Sequence, residues 1–316
     1  MTRGEALRGL VQSGGVLLTC RALEAGWTPR SLLRALAAEG WTRITPGAWA
    51  EPGRDVTLFD RVRAAQLRKP ELVASHRTAA ALWRIETLGS PGTESLVFTD
   101  PELATRRDRK RGSTVRVHRA SLAPREAVTR WGLRLTIPSR TLVDLLRTEP
   151  RDEALVAVDS ALSRRTVAGV RRAPLLRLTD LAAALEAPRR GGAAARGHLH
   201  LADPHAGSPA ETIARLRMHD AGLHPESQAE LRTPDGRRRF LDFLFRAQGL
   251  AVEIEGYAYH GTRAAHRDDI ARFNQVLQCP EVRLLLRCTA TDVFHRPAKM
   301  IEEIRAALAQ AATGMP

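Results

Sequence analysis

Cysteine, lysine and aromatic side chains are scarce in this chain of 316 residues, and long apolar runs are missing. The three cysteines, Cys20, Cys279 and Cys288, are odd in number and fit no metal-finger spacing, so small buried thiols in a reduced protein are the simplest interpretation. No segment approaches the roughly 18 uncharged apolar residues of a membrane helix, and the N-terminus does not have the pattern of a signal peptide. We therefore expect a cytoplasmic protein that does not enter a membrane.

Positive charge is concentrated in the first two thirds of the chain. The net charge is +14, and from Ser208 to the C-terminus 15 basic residues stand against 14 acidic ones, so nearly all the excess precedes Ser208. This asymmetry favours a front part that holds a polyanion, duplex DNA, for a nearly neutral catalytic part. Only three of the 49 basic residues are lysine, and such arginine bias can also reflect the base composition of the coding DNA. An aromatic content of 4% argues against RNA, whose recognition depends on stacking.

The pattern of apolar and turn residues predicts an α/β protein, α+β overall, in four segments. Residues 1–68 form a first domain of short helices and a hairpin, and residues 69–187 form a mixed α/β middle domain. Residues 188–207 are predicted to be a linker, because Pro188–Gly192 combines proline, glycine and like charge. Residues 208–316 form the domain that carries the chemistry.

Two helices and a hairpin are predicted at the start of the chain. Thr28 is a good N-cap and Pro29 suits the first helical position, and the helix they open follows a shorter one over Thr19–Ala25. Trp41–Ala50 then forms a hairpin around a Pro-Gly turn. This order is typical of a winged helix-turn-helix, whose second helix enters the major groove of DNA, although short winged helices also dock proteins. The second helix is expected to bury Leu32, Leu33 and Leu36. The residues expected to contact DNA are Arg30, Arg34 and Arg43.

Four motifs of the front part resemble the AbiEi-type antitoxins. They are Gly14–Thr19, Ile44–Trp49, Ser75–Ala80 and Ser139–Leu145. The resemblance implies a front half that binds DNA or a partner, and it assigns no chemistry to that half. We accordingly interpret His76 and His118 as structural residues and not as metal ligands.

Three carboxylates stand out in the last segment. A four-residue hairpin loop over Arg246–Gly249 places Asp242 opposite Glu253, and Glu255 shares a face with Glu253 because strand side chains alternate. Like charges across a strand pair are destabilising, so we expect a hard divalent cation, Mg²⁺ or Mn²⁺, to bind them. The alternative is an ordinary amphipathic hairpin that shows its acids to water. Three apolar residues on the acidic face argue against it: Phe240, Leu244 and Ala251.

Around these carboxylates the predicted order is helix, three strands, helix, strand and helix, with Ser208 as the N-cap of the first helix. The motifs along it are Asp242–Phe243, Glu253–His260, Asp269 with Arg272 and Asn274, and Leu285–Thr289. Together they resemble the very-short-patch-repair endonuclease-related (Vsr-like) branch of the PD-(D/E)XK nucleases. The resemblance covers about residues 208–308 and implies the restriction-endonuclease-like αβββαβα core.

The resemblance also implies the ligands of the cation. Asp242 and Glu253 would bind it and take part in catalysis, and His260 of the Gly-x-x-x-His loop would act as acid or base near the scissile phosphate. Glu211 matches the first-helix glutamate, which holds the metal directly or through water. Glu211 is equally the expected capping-box residue of its helix, and the sequence leaves the two roles open.

One position departs from the superfamily pattern. Glu255, expected to be catalytic, stands where most members have a lysine, and the branch commonly carries an acid there. Charge stabilisation would then come from the metal, His260, Arg272 or Arg287. Asp269 is either a supporting acid or a residue that complements the dipole of its helix.

Two functions follow from these features. The first is a Mg²⁺-dependent endodeoxyribonuclease with a basic front half that holds duplex DNA. The alternative is an AbiEi-like transcriptional regulator or antitoxin, in which the nuclease-like part is a scaffold without catalysis. A homodimer is compatible with both functions, and the sequence predicts neither the target site nor the mode of cleavage.

Overall fold

Helices and β-sheets are mixed along the chain, as expected for an α+β protein. The computed structural model describes residues 3–12, 14–89, 95–102, 115–255 and 272–313. Within these ranges, no helix is long and apolar enough to cross a membrane. The chain divides into two compact units, which we call unit 1 (residues 1–84 and 89–144) and unit 2 (residues 85–88 and 145–316).

The division into units differs from the four predicted segments. The predicted middle segment, residues 69–187, contributes to both units. The predicted linker, residues 188–207, contains a helix over Gly192–Leu199 whose Ala195 is fully buried. Proline and glycine therefore mark a tight turn here, with Gly191 at φ +80°, inside unit 2.

Unit 1 begins with the helices and the hairpin that the sequence predicts. Its elements run in the order α1 (Arg3–Arg8), β1 (Val16–Leu18), α2 (Thr19–Glu24), α3 (Pro29–Ala38), β2 (Thr42–Thr45) and β3 (Ala48–Ala50). β3 pairs antiparallel with both β1 and β2, which gives a three-stranded sheet in the order β1-β3-β2.

The N-cap of α3 is confirmed, and one residue of its predicted apolar face is wrong. The Thr28 hydroxyl accepts the N–H of Ser31 at 3.2 Å, with Pro29 at the first helical position. Leu32 and Leu36 are buried as predicted, whereas Leu33 is 55% exposed. Because successive helical residues are about 100° apart, position 33 falls beside the buried face that positions 32 and 36 share.

The remainder of unit 1 contains a five-stranded sheet in the order β6-β5-β4-β8-β7. His76 and His118 belong to this part; the His76 side chain is buried and its ring stacks on that of His118, with centroids 4.0 Å apart. The elements are α4 (Leu58–Arg68), β4 (Val73–Ala74), α5 (His76–Leu82), β5 (Leu96–Asp100), β6 (Val115–Arg119), β7 (Ala127–Arg130), β8 (Leu133–Thr136) and α6 (Pro138–Thr148), which contains the boundary between the units.

Unit 2 is built around a four-stranded sheet in the order β11-β12-β13-β14. The first three strands are antiparallel, and β14 is parallel to β13. The elements are α7 (Arg151–Leu162), β9 (Arg165–Val167), β10 (Val170–Arg172), α8 (Leu178–Leu185), α9 (Gly192–Leu199), α10 (Pro209–Asp220), β11 (Glu226–Arg232), β12 (Arg238–Phe245), β13 (Leu250–Glu255), α11 (described over residues 272–277), β14 (Leu284–Thr289), α12 (Ala290–His295) and α13 (Pro297–Thr313).

Two apolar clusters bury this sheet. The larger one unites Phe243 and Val252 of the sheet with residues of α7, α10, α12 and α13. The smaller one packs Leu244 and Ala251 against Val276 of α11. Apolar side chains cover both faces of the sheet and stabilise its strands. Polar side chains buried among them therefore need hydrogen-bond partners nearby, or they serve a function that requires their burial.

α7 is an integral part of the packing of unit 2. Leu155 and Val156 of α7 belong to the same buried cluster as Ile213 of α10. The fully buried Asp159 carboxylate accepts hydrogen bonds from Thr212 Oγ1 and Arg215 Nη2, both at 2.9 Å. Helix α10 is thus held from the side by a helix that precedes it by about fifty residues.

Candidate active site

Asp242 lies where β12 and β13 separate. The predicted register is confirmed from Phe245 opposite Leu250 to Phe243 opposite Val252, and the backbone pairing ends there. Beyond this point, side-chain-to-backbone hydrogen bonds take the place of backbone pairing between the two strands. Asp242 Oδ2 accepts the N–H of Ile254 at 2.8 Å, and the backbone N–H of Asp242 donates to the Glu253 carboxylate. The two acids therefore hold the strands in an open fork.

Glu211 approaches this fork from the first turn of α10. The Ser208 hydroxyl caps the helix by accepting the N–H of Glu211 at 3.1 Å, as predicted. The Glu211 carboxylate turns back and accepts the N–H of Gly207 at 2.7 Å. A Cβ atom at position 207 would lie 3.0 Å from both Glu211 oxygens, so a glycine leaves the room this carboxylate needs. The Glu211 carboxylate thus accepts a backbone N–H just before its own helix and also contacts Gln228.

Gln228 joins two of the acids. Its side-chain Nε2 donates to Glu211 Oε2 at 3.0 Å and to Asp242 Oδ1 at 3.2 Å. Sequence reasoning missed this residue, although a signal was present. Counting back along the predicted β11–β12 hairpin from its turn puts Gln228 across from Asp242, between the observed pairs Ser227–Phe243 and Ala229–Leu241.

The two glutamates of β13 each lie beside an arginine. Arg272 Nη2 is 3.1 Å from Glu253 Oε2 and also donates to the carbonyl of Phe240 at 3.0 Å. Arg287 of β14 forms an ion pair with Glu255, and its guanidinium lies 4.2 Å from the centroid of the Phe273 ring. The two arginines expected to stabilise charge are therefore both at the fork.

Burial raises the pKa of three carboxylates at the fork, and nearby arginines offset only part of this effect. Burial raises the pKa of Asp242 to about 6, and the nearby charge of Glu253 adds to the effect. The pKa of Glu211 is raised by burial and then by Asp242. The pKa of Glu253 is raised by burial, although Arg272 acts in the opposite direction. Such raised pKa values in a polar recess are typical of functional sites, and structural networks can also produce them.

The chain has two relatives among the proteins of Mycobacterium tuberculosis. It is 30% identical over 269 residues to the uncharacterized protein MT2308 of strain CDC 1551 / Oshkosh and to the uncharacterized protein Rv2248 of strain ATCC 25618 / H37Rv, and each alignment covers 84% of this chain and 91% of the relative. The chain belongs to the family of these two proteins. No family model matches it. Among solved structures, the crystal structure of the RV2827C protein from Mycobacterium tuberculosis matches 73% of this chain and 88% of its own, with 18% identity and a TM-score of 0.41.

In this member of the family, Glu253 lies close enough to Asp242 to raise its pKa, whereas Glu255 pairs with Arg287 and does not join the two other acids. Among the described residues, no group of three or more acidic, histidine or cysteine side chains is placed to hold one metal ion. The physical reason is that Arg287 pairs with Glu255 and Arg272 pairs with Glu253. The contacts that the structure does make instead join Glu211 to Asp242, through an uncharged amide.

Oxygen donors of this kind fit Mg²⁺ or Mn²⁺. Mg²⁺ usually takes one or two carboxylates and completes its shell with water and phosphate, so Glu211 and Asp242 offer a suitable donor pair. The predicted acid or base His260 and the predicted supporting acid Asp269 lie outside the described residues.

The arginines predicted to contact DNA belong to unit 1. Arg30 and Arg34 are exposed on α3, and Arg43 is exposed on β2. The Arg43 guanidinium carbon lies 6.0 Å from the centroid of the Trp49 ring. These positions leave all three side chains accessible to a large ligand.

Proposed function

We propose that the chain is a divalent-metal-dependent DNA endonuclease that hydrolyses phosphodiester bonds. The observation that carries the proposal is the group formed by Glu211, Asp242 and Glu253. Asp242 and Glu253 lie at the end of a strand pair, Glu211 is joined to Asp242 through Gln228, and burial raises the pKa of each of the three acids. Arg272 pairs with Glu253 and offsets only part of the cost of burying three acids together, and a bound cation would offset more of it. The element order from α10 to α13 favours the Vsr-like branch of the PD-(D/E)XK nucleases as the source of this arrangement.

Asp242 and Glu211 would hold the cation, with Glu253 beside it. A bound Mg²⁺ or Mn²⁺ would lower the pKa of a water molecule and stabilise charge on the phosphate under attack. Arg287 forms an ion pair with Glu255, the position at which related nucleases have a lysine. Arg272 and Arg287 would therefore orient and neutralise the phosphate, and His260 is proposed as the proton donor or acceptor.

The test uses supercoiled plasmid and the full chain. We expect nicked or linear DNA in the presence of Mg²⁺ or Mn²⁺ and intact plasmid when a chelator is added. Purified Asp242→Ala protein, prepared in parallel, controls for contaminating nucleases. Cleavage that continues at the wild-type rate in both the Asp242→Ala and the Glu253→Ala proteins would refute the proposal.

A second candidate is a DNA-binding regulator or antitoxin-like protein with unit 1 as a winged helix-turn-helix. It is favoured by α3, which follows a shorter helix, precedes a hairpin and exposes both Arg30 and Arg34. This candidate predicts a sequence-dependent shift of duplex DNA without any metal requirement. Binding measured by gel shift should weaken in Arg30→Ala and Arg34→Ala and remain in the control Arg21→Ala, whose side chain lies on α2. Equal binding by all four proteins would remove these arginines from the DNA interface.

A further inference from the structure

Gln228 adopts a backbone conformation that glutamine rarely takes. Its φ is +47°, in the left-handed region, although it stands inside strand β11. The register on either side is unbroken, with Ser227 opposite Phe243 and Ala229 opposite Leu241. A non-glycine residue in this region is strained and persists only when its surroundings stabilise it. The contacts of the side chain indicate what the strained conformation achieves.

The amide of Gln228 lies between two acids that come from different elements. Glu211 is on α10 and Asp242 is on β12, and both accept a hydrogen bond from the same Nε2 atom at 3.0 and 3.2 Å. An amide nitrogen carries two hydrogens and no formal charge, so it can satisfy two carboxylates without neutralising either of them. Glu211 also accepts the N–H of Gly207 and lies near the Ser208 hydroxyl and Arg165. Asp242 also accepts the N–H of Ile254 and lies near Arg272.

We infer that Gln228 is a positioning residue, which holds Glu211 and Asp242 together as a ligand pair for a divalent cation. The inference rests on the proposed function. Without the amide, two like-charged groups would face each other in a partly desolvated recess and turn away from each other. A cation would then have to reassemble its ligands before it could bind. Gln228 itself makes and breaks no bond with the substrate.

Three substitutions separate the amide from the backbone strain. Gln228→Leu keeps a branched side chain, one atom shorter, and the strained φ but removes the donor. Gln228→Gly removes both the donor and the strain, because glycine adopts positive φ freely. Gln248→Leu is the matched control, since Gln248 lies in the loop at the other end of the β12–β13 hairpin. Thermal unfolding in chelator shows whether each variant is folded.

The experiment measures Mn²⁺ affinity of the full chain by calorimetry, without DNA. We expect both Gln228 variants to bind Mn²⁺ about tenfold more weakly than the wild type, which corresponds to about 1.4 kcal/mol, and Gln248→Leu to bind normally. In plasmid cleavage, the Mn²⁺ concentration for half-maximal rate should rise by a similar factor, while the rate at saturating Mn²⁺ changes much less.

Each other result overturns a definite statement. If the wild type binds Mn²⁺ and Gln228→Leu binds it equally or more tightly, the positioning role is wrong and the nuclease proposal stands. Wild-type affinity in Gln228→Gly, together with weak binding in Gln228→Leu, would assign the effect to backbone strain and not to the amide. A wild-type protein that binds no Mn²⁺ would refute the metal site itself, and the role of Gln228 with it.

Discussion

In unit 1, the side chain of Arg140 is almost completely buried and lies 2.9 Å from Asp144 and 2.8 Å from Glu126. In unit 2, the uncharged amide of Gln228 bridges Glu211 and Asp242, and the guanidinium of Arg272 is paired with Glu253. Both arrangements bury carboxylates, but only the first contains a permanent cation between them. The ion pairs of Arg140 serve the fold of unit 1. The two acids bridged by Gln228 lack a cation between them, which leaves room for a cation from solution.

The largest effect should follow from removing the arginine of unit 1. We expect Arg140→Met to lower the free energy of unfolding of unit 1 by about 3–5 kcal/mol, because the buried Asp144 and the partly buried Glu126 both lose their arginine. All five tryptophans of the chain, at positions up to 131, belong to unit 1, so urea unfolding followed by tryptophan fluorescence reports on this unit alone. The control Arg125→Met, at an exposed position, should change stability by less than about 0.5 kcal/mol. Equal stability of the Arg140→Met and Arg125→Met proteins would show that the buried ion pairs of unit 1 do not stabilise its fold.

The corresponding substitutions in unit 2 should act on cleavage. We expect Asp242→Asn and Glu253→Gln to reduce the cleavage rate by about a hundredfold to a thousandfold, similar to the loss of one charge-stabilising group in other enzymes. Duplex binding should be unchanged in a gel shift. Glu230→Gln is the matched control, since Glu230 is paired with Arg238 outside the fork. A similar loss in that control would mean that the effect is not specific to the fork.

Asp242→Asn should also make the protein more stable. Burial raises the pKa of Asp242 from 3.8 to about 6. A carboxyl group whose pKa is higher in the folded state contributes stability at low pH and loses it as the pH rises through 6. In chelator at pH 7.5 we therefore expect the asparagine variant to be more stable than the wild type by about 1–3 kcal/mol, and nearly equal to it at pH 4. Circular dichroism during urea unfolding measures the difference.

The sign of the stability change at pH 7.5 also distinguishes the two units. Removing the charge of Arg140, which is ion-paired in unit 1, should weaken the fold, whereas removing the charge of Asp242, whose hydrogen-bond donors are uncharged, should strengthen it. A destabilised Asp242→Asn protein at pH 7.5 would show that this carboxylate is structural, and the contrast between the units would then be lost.

The smallest effect concerns two helix caps. Thr28→Ala in α3 and Ser208→Ala in α10 should each cost about 1 kcal/mol in the free energy of unfolding. Only Ser208→Ala should also weaken Mn²⁺ binding, because the turn that Ser208 caps positions Glu211. Calorimetry of both variants checks this, and an equal loss of Mn²⁺ affinity in the two proteins would contradict it.

Local rules were sufficient for the caps and for the register of the central hairpin. Thr28 and Ser208 cap their helices as residue type and spacing predict, and Phe245 faces Leu250 because loop length fixes the pairing of a hairpin. These features depend on residues that are close in sequence. The sequence could therefore predict the register as far as Phe243 and Val252, but not that the pairing ends before Asp242 and Glu253.

Features that depend on distant residues were not predictable in the same way. The positive φ of Gln228 is stabilised by Glu211, seventeen positions away, and no rule of strand propensity predicts it. The pairing of Glu255 with Arg287 requires the parallel register of β13 and β14, which no hairpin loop determines. The Gln228 amide leaves Glu211 and Asp242 with an uncharged bridge, and Arg287 gives Glu255 a positive partner. These two contacts therefore determine the electrostatics of the site.

The attachment of α10 to α7 has a consequence for how such a protein can be exchanged between genomes. A gene fragment that begins at Ser208 would encode α10 without Leu155, Val156 and Asp159, the residues that cover and bind one of its sides. A chimera joined at that point would expose apolar surface and leave Arg215 without its acid. A segment that keeps this packing must therefore begin before α7, and one that begins near residue 145 still lacks residues 85–88 of unit 2.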